Sequence, residues 1–308
     1  MTSYQLVTYQ SKKGPRAGVV VDGKVFDAAA LTRKASHVSM LDILNDWKTA
    51  QGLLRKAAAA AGKGRLKSQP LARTKLLAPV LWPSAIYCAG ANYTDHMLEM
   101  ARLQNMPPAP DPHEVGLKPW HFIKASRTVA GHGAIVKLPA ASNAIDWEAE
   151  LGAVIGRTAK NVPLDKALDY VAGYTIANEL SARDLGRRPQ MPESSPFRHD
   201  WVGQKCFDDA CPLGPWIVPA KDIKNPQSLG IKLWVNDVIK QDSNTGKMIF
   251  TLAEQLSHLS SRITLYPGDI ILTGTPSGVG AARKEFLKSG DVVKVWIEGI
   301  GTLTNKMA

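Results

Sequence analysis

From residue 76 onward, runs of β-forming residues are interrupted by Gly or Pro every few positions. Gly and Pro destabilise a helix interior, whereas β-branched and aromatic runs bounded by them are typical of short strands. This pattern predicts a core of many short strands, with a hairpin turn at Asn236-Asp237. The predicted strands are AIVKLP, ELGAVIG, VAGYTIA, LGIKLWVND, DIILTGTP and DVVKVWIEG, and the predicted helices are DKALDYVAGY and IFTLAEQLSHLSSRI.

The first 75 residues follow a different pattern. Short strands with a turn at Asp22-Gly23 precede two helical segments, MLDILNDW and AQGLLRKAAAAAG, the second ending at Gly62. A polar, basic linker follows near Lys63–Lys75. We therefore predict an α+β, β-rich fold with two units, a small α+β domain at residues 1–75 and a strand-rich domain at residues 76–308.

Most of the net charge lies in the small unit. Residues 1–75 carry fourteen Lys and Arg against four Asp and no Glu, a balance of +10 out of +11 for the chain. A basic face of this kind could bind a polyanion or attract an anionic substrate. Because no recognition-helix or RNA-stacking motif accompanies the charge, a solvated surface is the simpler interpretation, and we do not expect nucleic acid as a partner.

The sequence favours a cytoplasmic globular protein. With 44% hydrophobic and 21% charged residues the chain can bury a sizeable core. No apolar run approaches the roughly 18 residues that cross a bilayer, and the first residues lack the pattern of a secretory signal. Cys88, Cys206 and Cys211 form no CxxC pair, which argues against a disulfide framework and a zinc cluster.

Acidic residues concentrate in the segment DWEAEL, ahead of the apolar run GAVIG. On a strand, Asp146, Glu148 and Glu150 share one face, and like charges there need compensation. A hard divalent cation would supply it, since Mg²⁺ and Mn²⁺ prefer oxygen ligands. A solvent-facing acidic strand edge is the alternative. Glu179, after the apolar run VAGYTIA, could be the third carboxylate, or could lie at a helix N-terminus.

A second candidate pair lies in GANYTDHMLEM. His96 and Glu99 are three residues apart, so one helical turn brings them together and makes a workable general base, although a surface hydrogen bond would use the same spacing. Thr275, in the Gly-rich segment ILTGTPSGVG, could bind a carboxylate. Lys205 could pair with an anion near a metal site. Neither a P-loop nor GxGxxG is present, which excludes the usual nucleotide loops.

Taken in order, these segments resemble the fumarylacetoacetate hydrolase family over roughly residues 80–308. The matching stretches are GANYTDHMLEM, HFIKASR, DWEAELGAVIG, VAGYTIANELSARD, GQKCFDDACPLGPW, ILTGTPSGVG and DVVKVWIEGIGTL. The resemblance implies a mixed β-sandwich roll, usually a homodimer, that binds Mg²⁺ or Mn²⁺. Residues 1–75 resemble the variable N-terminal domain of many members.

The resemblance also implies roles for individual residues. Its metal ligands would be Glu148, Glu150 and Glu179. His96 and Glu99 would form a water-activating dyad on a lid. The remaining implied contacts are Lys205, which could hold or protonate the reacting group, and the substrate contacts Lys124, Arg183 and Thr275. The chain departs from the family at Glu179, where Asp is usual, so Glu148 and Glu150 are the firmer ligands.

For such a chain the leading prediction is metal-dependent C–C hydrolysis of an acylpyruvate or related 1,3-diketo acid, such as a fumarylpyruvate- or maleylpyruvate-type product of aromatic catabolism, with release of pyruvate. The Pro-rich segment at residues 106–119 would shape the acyl pocket. Decarboxylation or keto–enol isomerisation of a 2-oxo diacid is the alternative within the family. Outside it, the basic first unit could make the chain a polyanion-binding protein.

Overall fold

The structure is a computed structural model that describes residues 3–61 and 66–308. The predicted helix end at Gly62 and the first residues of the predicted linker lie outside the described residues. No described helix is both long and apolar enough to cross a membrane. A cytoplasmic location therefore stays a prediction.

Within the residues that the structure describes, the first unit has four antiparallel strands and three helices, and a further short strand at Leu76–Leu77 pairs with the first strand. Asp22 and Gly23 both have positive φ, so the predicted turn between the second and third strands is confirmed. Ser39 and Asp42 form a capping box that starts the second helix. The elements are β1 (Gln5–Ser11), β2 (Gly14–Val21), β3 (Lys24–Asp27), α1 (Ala28–Thr32), α2 (Met40–Asn45), α3 (Trp47–Ala61), β4 (Ser68–Pro70) and β5 (Leu76–Leu77).

The remaining chain is rich in short strands, as predicted. Its helices are α4 (Thr94–Leu103), α5 (Trp201–Lys205), α6 (Leu252–Arg262) and α7 (Gly280–Arg283). Its strands are β6 (Ile86–Ala89), β7 (His121–Lys124), β8 (Val129–Ala130), β9 (Ile135–Val136), β10 (Ile145–Asp146), β11 (Ala149–Ile155), β12 (Val171–Asn178), β13 (Ser181–Ala182), β14 (Cys211–Pro219), β15 (Gly230–Val235), β16 (Val238–Asn244), β17 (Ile270–Leu272), β18 (Val292–Ile297) and β19 (Gly301–Met307).

Two large mixed sheets carry the fold. The larger has the order β4-β3-β2-β1-β14-β12-β11-β17-β6-β7, with β5 on β1 and β8 on β14. The second has the order β16-β15-β18-β19-β9, and β10 pairs with β13 as a short ribbon. The β1–β14 pairing, at Leu6 and Ile217, joins the first unit to the strand-rich one in a single sheet. This pairing was not predicted. The domain boundary at residue 75 stays a prediction.

The larger sheet is covered on both faces. Leu151, Ala153 and Ile155 of β11 pack in one core with β15, β18 and α6, whereas Val154 packs in the other core with α3 and β1. Strand alternation explains this division, because neighbouring side chains point to opposite faces. The α+β, β-rich fold is thus confirmed, with open mixed sheets in a layered arrangement.

Two predictions of local structure need correction. The helix predicted over DKALDYVAGY is a 3-10 helix at Leu164–Tyr170 only, since Val171 begins the central strand β12. The strand predicted from Asp146 to Leu151 is interrupted at residues 147–148, where the Glu148 amide donates to the Asn178 side chain. The hairpin at Asn236-Asp237 is confirmed by positive φ at both residues.

Candidate active site

A cavity of about 470 Å³ opens at the ends of β6, β11 and β12. The chain segments that form it are distant in sequence and meet only through the pairing of these strands. Its lining residues are Ala89, Gly90, Ala91, His96, Trp120, Phe122, Glu148, Glu150, Arg183, Gly186, Arg187, His199, Trp201, Gln204, Lys205 and Thr275.

Three carboxylates converge at this cavity. Glu148, Glu150 and Glu179 are all buried, and one oxygen from each lies within 4.8 Å of the others. Glu148 and Glu150 flank the start of β11, and Glu179 follows the last residue of β12. The alternatives of a solvent-facing acidic edge and of a helix N-terminus at Glu179 are therefore wrong, because all three residues are buried, two at the start of β11 and one directly after β12.

Two lysines contact Glu179. The Nζ of Lys124 lies 2.5 Å from its Oε1 and also donates to the Leu180 carbonyl at 2.9 Å. The Nζ of Lys205 donates to its Oε2, and to the Ser181 hydroxyl at 2.7 Å. Lys205 lines the cavity, whereas Lys124 is fully buried and is not among the lining residues. The structure therefore places Lys124 behind Glu179 and away from the space where a substrate contact was predicted.

Arg183 forms ion pairs with Glu148 and Asp146. Its Nη2 pairs with Glu148, and its Nε donates to Asp146 at 2.8 Å. Lys205 lies 3.5 Å from the same Glu148 oxygen. Burial acts to raise the pKa of Glu148, but Lys205 and Arg183 outweigh it and hold that pKa below its usual range.

Glu150 differs from its two neighbours. Among the residues that the structure describes, no Lys, Arg or His nitrogen lies within 4.0 Å of its carboxylate, and the Gly274 amide donates to it at 2.7 Å. Burial, followed by the charges of Glu179 and Glu148, raises its pKa well above the usual value. A buried carboxylate with this surplus of negative charge calls for a cation.

The donor set fits a hard divalent metal. Three carboxylate groups offer oxygen ligands on one side, and the open cavity leaves the other side for water or substrate. The residues present could therefore hold Mg²⁺ or Mn²⁺ through Glu148, Glu150 and Glu179. Zinc is a poorer fit, because no Cys or His belongs to the cluster.

His96 and Glu99 lie on α4, and His96 lines the cavity. The His96 Nδ1 is 3.8 Å from a Glu99 oxygen, which is longer than a hydrogen bond. Glu99 accepts from the Gly278 amide at 2.9 Å. Burial acts to raise the pKa of Glu99, but His96 and the Gly278 amide together lower it.

The Gly-rich segment borders the cavity at Thr275. Gln241 donates to the Thr275 hydroxyl oxygen at 2.9 Å, which leaves the hydroxyl hydrogen free to donate into the cavity. Gly278 has φ +97, and a Cβ there would lie 2.0 Å from the Lys240 carbonyl, so only glycine fits this turn.

Sequence reasoning missed one wall of the cavity. Three aromatic rings form it: Phe122 and Trp201 stack at 5.5 Å between centroids, and Trp120 meets Trp201 edge-on at 6.1 Å. The Nζ of Lys205 lies 4.7 Å from the Phe122 centroid. The matching segment HFIK and the position of Trp120 beside the Pro-rich segment pointed near this wall; Trp201 carried no signal.

The sequence profile described as fumarylacetoacetate (FAA) hydrolase C-terminal matches residues 85–308. The fold and the carboxylate cluster agree with that match. The chain belongs to the fumarylacetoacetate hydrolase family.

Particular relatives differ in their reactions. An oxaloacetate tautomerase of Xenopus laevis (fahd2, mitochondrial) is 36% identical over 98% of this chain and 90% of its own. The crystal structure of a maleylpyruvate hydrolase from Sphingobium sp. SYK-6, in complex with manganese(II) and pyruvate, has a TM-score of 0.75 at 28% identity, covering 99% of this chain and 98% of the other. A 2-hydroxyhepta-2,4-diene-1,7-dioate isomerase from Mycobacterium marinum has a TM-score of 0.72 at 30% identity, with 99% and 98% covered.

Proposed function

We propose that this chain is a divalent-metal-dependent enzyme that catalyses keto–enol tautomerisation of small anionic 2-oxo acids, with a 2-oxo diacid such as oxaloacetate as the first substrate to test. The observation that carries the proposal is the convergence of the three-carboxylate cluster, Lys205 and His96 on one cavity. A cation-binding cluster next to an ammonium group and an imidazole has the parts that enolisation of a 2-oxo acid requires.

The charge balance of the site favours an anionic substrate. With a cation bound and all four carboxyl groups ionised, Asp146 and the three glutamates would carry four negative charges against three positive ones on Lys124, Lys205 and Arg183. A divalent cation would make the cluster net positive. Arg187 and His199 also line the cavity and can add positive potential there.

Glu148, Glu150 and Glu179 would hold Mg²⁺ or Mn²⁺. A bound cation supplies Lewis-acid stabilisation of the negative charge that develops on the substrate oxygen. Glu179 is the longer residue where the family has Asp, and its two lysine contacts fix both of its oxygens. We propose that Lys124 positions Glu179 and does not touch the substrate.

The other residues bind the substrate and move the proton. Lys205, held by Glu179 and Ser181, donates to the substrate carboxylate. Thr275 and Arg183 line the same space and can donate to its oxygens. His96 delivers a proton to C3 of the enol while the enol hydroxyl proton passes to water, and in the reverse direction His96 takes a proton from C3 while water returns one to the oxygen. Glu99 orients His96 from the side away from the cavity.

The choice of tautomerisation rests on the relatives. The oxaloacetate tautomerases reach 36–38% identity, whereas the maleylpyruvate hydrolase has 28%. Tautomerisation needs only the proton transfer and the stabilised enolate. The test is the decay of enol oxaloacetate, followed by its absorbance, with Mn²⁺ or Mg²⁺ and with the ions removed by a chelator. We expect metal-dependent acceleration; a rate equal to the protein-free one would reject the proposal.

Hydrolysis of an acylpyruvate is the second candidate, and the open space beside His96 favours it. There the same imidazole would take a proton from water, and the acyl–C3 bond would break to give a carboxylic acid and pyruvate. Acetylpyruvate and maleylpyruvate, assayed for pyruvate release with lactate dehydrogenase and NADH, separate the two reactions. Pyruvate release without accelerated enol decay of oxaloacetate would favour the hydrolase.

A homodimer, a cytoplasmic location and a role for residues 1–75 in polyanion binding stay predictions. Three of the basic residues of that unit are paired, Arg16 with Asp27, Lys34 with Asp46 and Arg55 with Asp222. Their pairing reduces the charge that is available to a polyanion. Light scattering coupled to gel filtration would measure the oligomeric state, and a salt-dependent mobility shift would test the binding.

A further inference from the structure

A second, larger cavity adjoins the active-site cavity. Its volume is about 790 Å³, and it lies between α4, the Pro-rich loop at residues 106–119 and the segment before α6. Most of its lining is apolar. The apolar lining residues are Met97, Leu98, Pro108, Ala109, Pro110, Pro112, Val115, Leu117, Met248, Ile249 and Phe250.

The two cavities share part of their walls. Gly90, Ala91 and Trp120 line both. The Trp120 indole lies so close to Gly90 that a Cβ at residue 90 would be 2.0 Å from the ring. The absence of a side chain at Gly90 therefore allows this indole to lie at the boundary. Trp120 is 48% exposed, so its ring is not locked in a packed core.

The apolar side chains around the second cavity are poorly covered. Leu98, Val115 and Leu117 remain 42%, 54% and 58% exposed. The free energy falls when an apolar group covers exposed apolar surface in a concave region. The cavity thus favours a ligand that is itself apolar.

The charged groups at the second cavity are largely satisfied within the chain. Asp111 is 3.1 Å from one ring nitrogen of His113, and Glu254 is 2.8 Å from the other. Lys118 is exposed and has no carboxylate within 4.0 Å among the residues that the structure describes. The lining therefore offers little to a second carboxylate except at this one rim position.

We propose that the second cavity binds the apolar substituent of a 2-oxo acid whose carboxylate end lies in the active-site cavity. This inference rests on the proposed function for the position of the 2-oxo acid end. The substrate class is then a 2-oxo acid with an aliphatic or aryl chain beyond C3 that passes the Trp120 ring. Oxaloacetate would fill only the first cavity.

The binding of a homologous series of 2-oxo acids tests whether the second cavity binds the apolar substituent. The Mn²⁺-loaded protein is titrated calorimetrically with pyruvate, 2-oxohexanoate and 2-oxooctanoate, and with 2-oxooctanedioate as the ligand of equal length with a second carboxylate. We expect affinity to rise about fourfold for each methylene that becomes buried. We also expect 2-oxooctanoate to bind more tightly than the dioate. Equal affinities across the series, or tighter binding of the dioate, would overturn the inference.

Two variants locate the effect. A109W adds bulk to the lining from an exposed loop position, and V115D adds a negative charge there. A141W is the matched control, because Ala141 is an exposed loop alanine that lines neither cavity. We expect A109W and V115D to reduce the gain from pyruvate to 2-oxooctanoate at least tenfold, and A141W to leave it unchanged. If both lining variants keep the full gain in affinity from pyruvate to 2-oxooctanoate, the apolar substituent binds outside the second cavity and the inference is rejected.

The same measurements separate this inference from the proposed function. Accelerated decay of enol oxaloacetate together with length-independent affinities would reject only the second-cavity inference. Length-dependent binding that A109W and V115D suppress, without any turnover of oxaloacetate, would reject only the proposed reaction. Pyruvate binding in A109W and V115D shows whether the first cavity is intact in these variants.

Discussion

The carboxylate cluster and helix α4 face the same cavity but are built in opposite ways. The side chains of Glu148, Glu150 and Glu179 are buried at the ends of central strands. Helix α4 has no buried residue and no side-chain cap at its first turn. The difference indicates that the carboxylate side of the site is preorganised by the fold, whereas the imidazole side can adjust.

Helix α4 is nevertheless tied to the Gly-rich segment. The Asp95 carboxylate accepts from the Ser277 amide and from the Ser243 hydroxyl, the latter at 2.6 Å, and Glu99 accepts from Gly278. These bonds hold the helix by its charged face and leave its apolar face toward the second cavity. Substitutions in the cluster should therefore change metal binding or stability, and loss of the His96 imidazole on α4 should change turnover alone.

The largest effect is expected from E150Q. The amide removes one anionic ligand, so Mn²⁺ binding and turnover should both fall below detection. Without metal, E150Q should be at least as stable as the unsubstituted chain, because a buried like charge is removed. Calorimetric Mn²⁺ titration and thermal unfolding with and without Mn²⁺ measure this. E285Q, at a half-exposed carboxylate paired with Lys240, is the control; full Mn²⁺ affinity in E150Q would contradict the assigned ligand.

The H96A substitution tests the imidazole side of the cavity, which is carried by helix α4. Loss of a general base lowers turnover by about 10²–10⁴-fold. Mn²⁺ affinity and the unfolding temperature should stay the same, because the structure gives His96 no hydrogen bond or ion pair to the three glutamates and places it outside the hydrophobic cores. H258A, on the partly exposed face of α6, should keep full activity. A fall in Mn²⁺ affinity in H96A would show that the two sides are not independent.

The K124M substitution measures how much the buried ammonium group of Lys124 contributes to the free energy of unfolding. The Lys124 side chain is fully buried against Glu179, and breaking a buried ion pair typically costs about 3–5 kcal/mol of unfolding free energy. Urea unfolding at neutral pH measures the loss. K166M, which removes an exposed pair with Asp165, should unfold like the original chain. Equal stability of K124M and K166M would mean that Lys205 alone compensates Glu179.

The smallest effect concerns the pH dependence of Glu99. Its pKa lies below the usual 4.5 in the folded chain, so the ionised form stabilises the fold at neutral pH. That contribution is lost as pH falls through the lowered pKa, where Glu99 takes up its proton. The stability difference between the original chain and E99Q should therefore shrink on acidification from pH 5 to pH 3, as measured by urea unfolding. A difference independent of pH would contradict the interpretation.

Sequence reasoning identified the residues of the cluster better than their surroundings. Glu148 and Glu150 were named from the acidic segment DWEAEL and Glu179 from its place after an apolar run, and the ordered motifs joined them; the structure brings all three together, although the predicted strand is interrupted at residues 147–148. Lys124 was expected to touch substrate but lies behind Glu179. Its position follows from the antiparallel pairing of β6 with β7, which no local pattern specifies.

The Pro-rich segment that lines the second cavity was predicted to shape an acyl pocket, but the stacking of the aromatic wall and the place where the cavity opens could not be predicted, for the same reason. Trp120 and Trp201 are about 80 residues apart in the sequence but in contact in the fold, and glycine is needed at residue 90 because the Trp120 indole lies beside it. The joining of β1 to β14 likewise depends on a contact across more than 200 residues. Such contacts depend on how whole sheets pair and not on the residues around each position.

The sequence by itself determined the strand-rich character of residues 76–308, the turns at Asp22-Gly23 and Asn236-Asp237, and the identity of the acidic cluster. These features depend on local propensity, alternation and motif order. Only the tertiary structure decided which lysine faces the cavity and where a second cavity opens. It also decided which carboxylate has no cationic side chain within 4.0 Å among the described residues. Those properties arise from burial and from distances between side chains that are far apart along the chain, because both are fixed when the sheets pack.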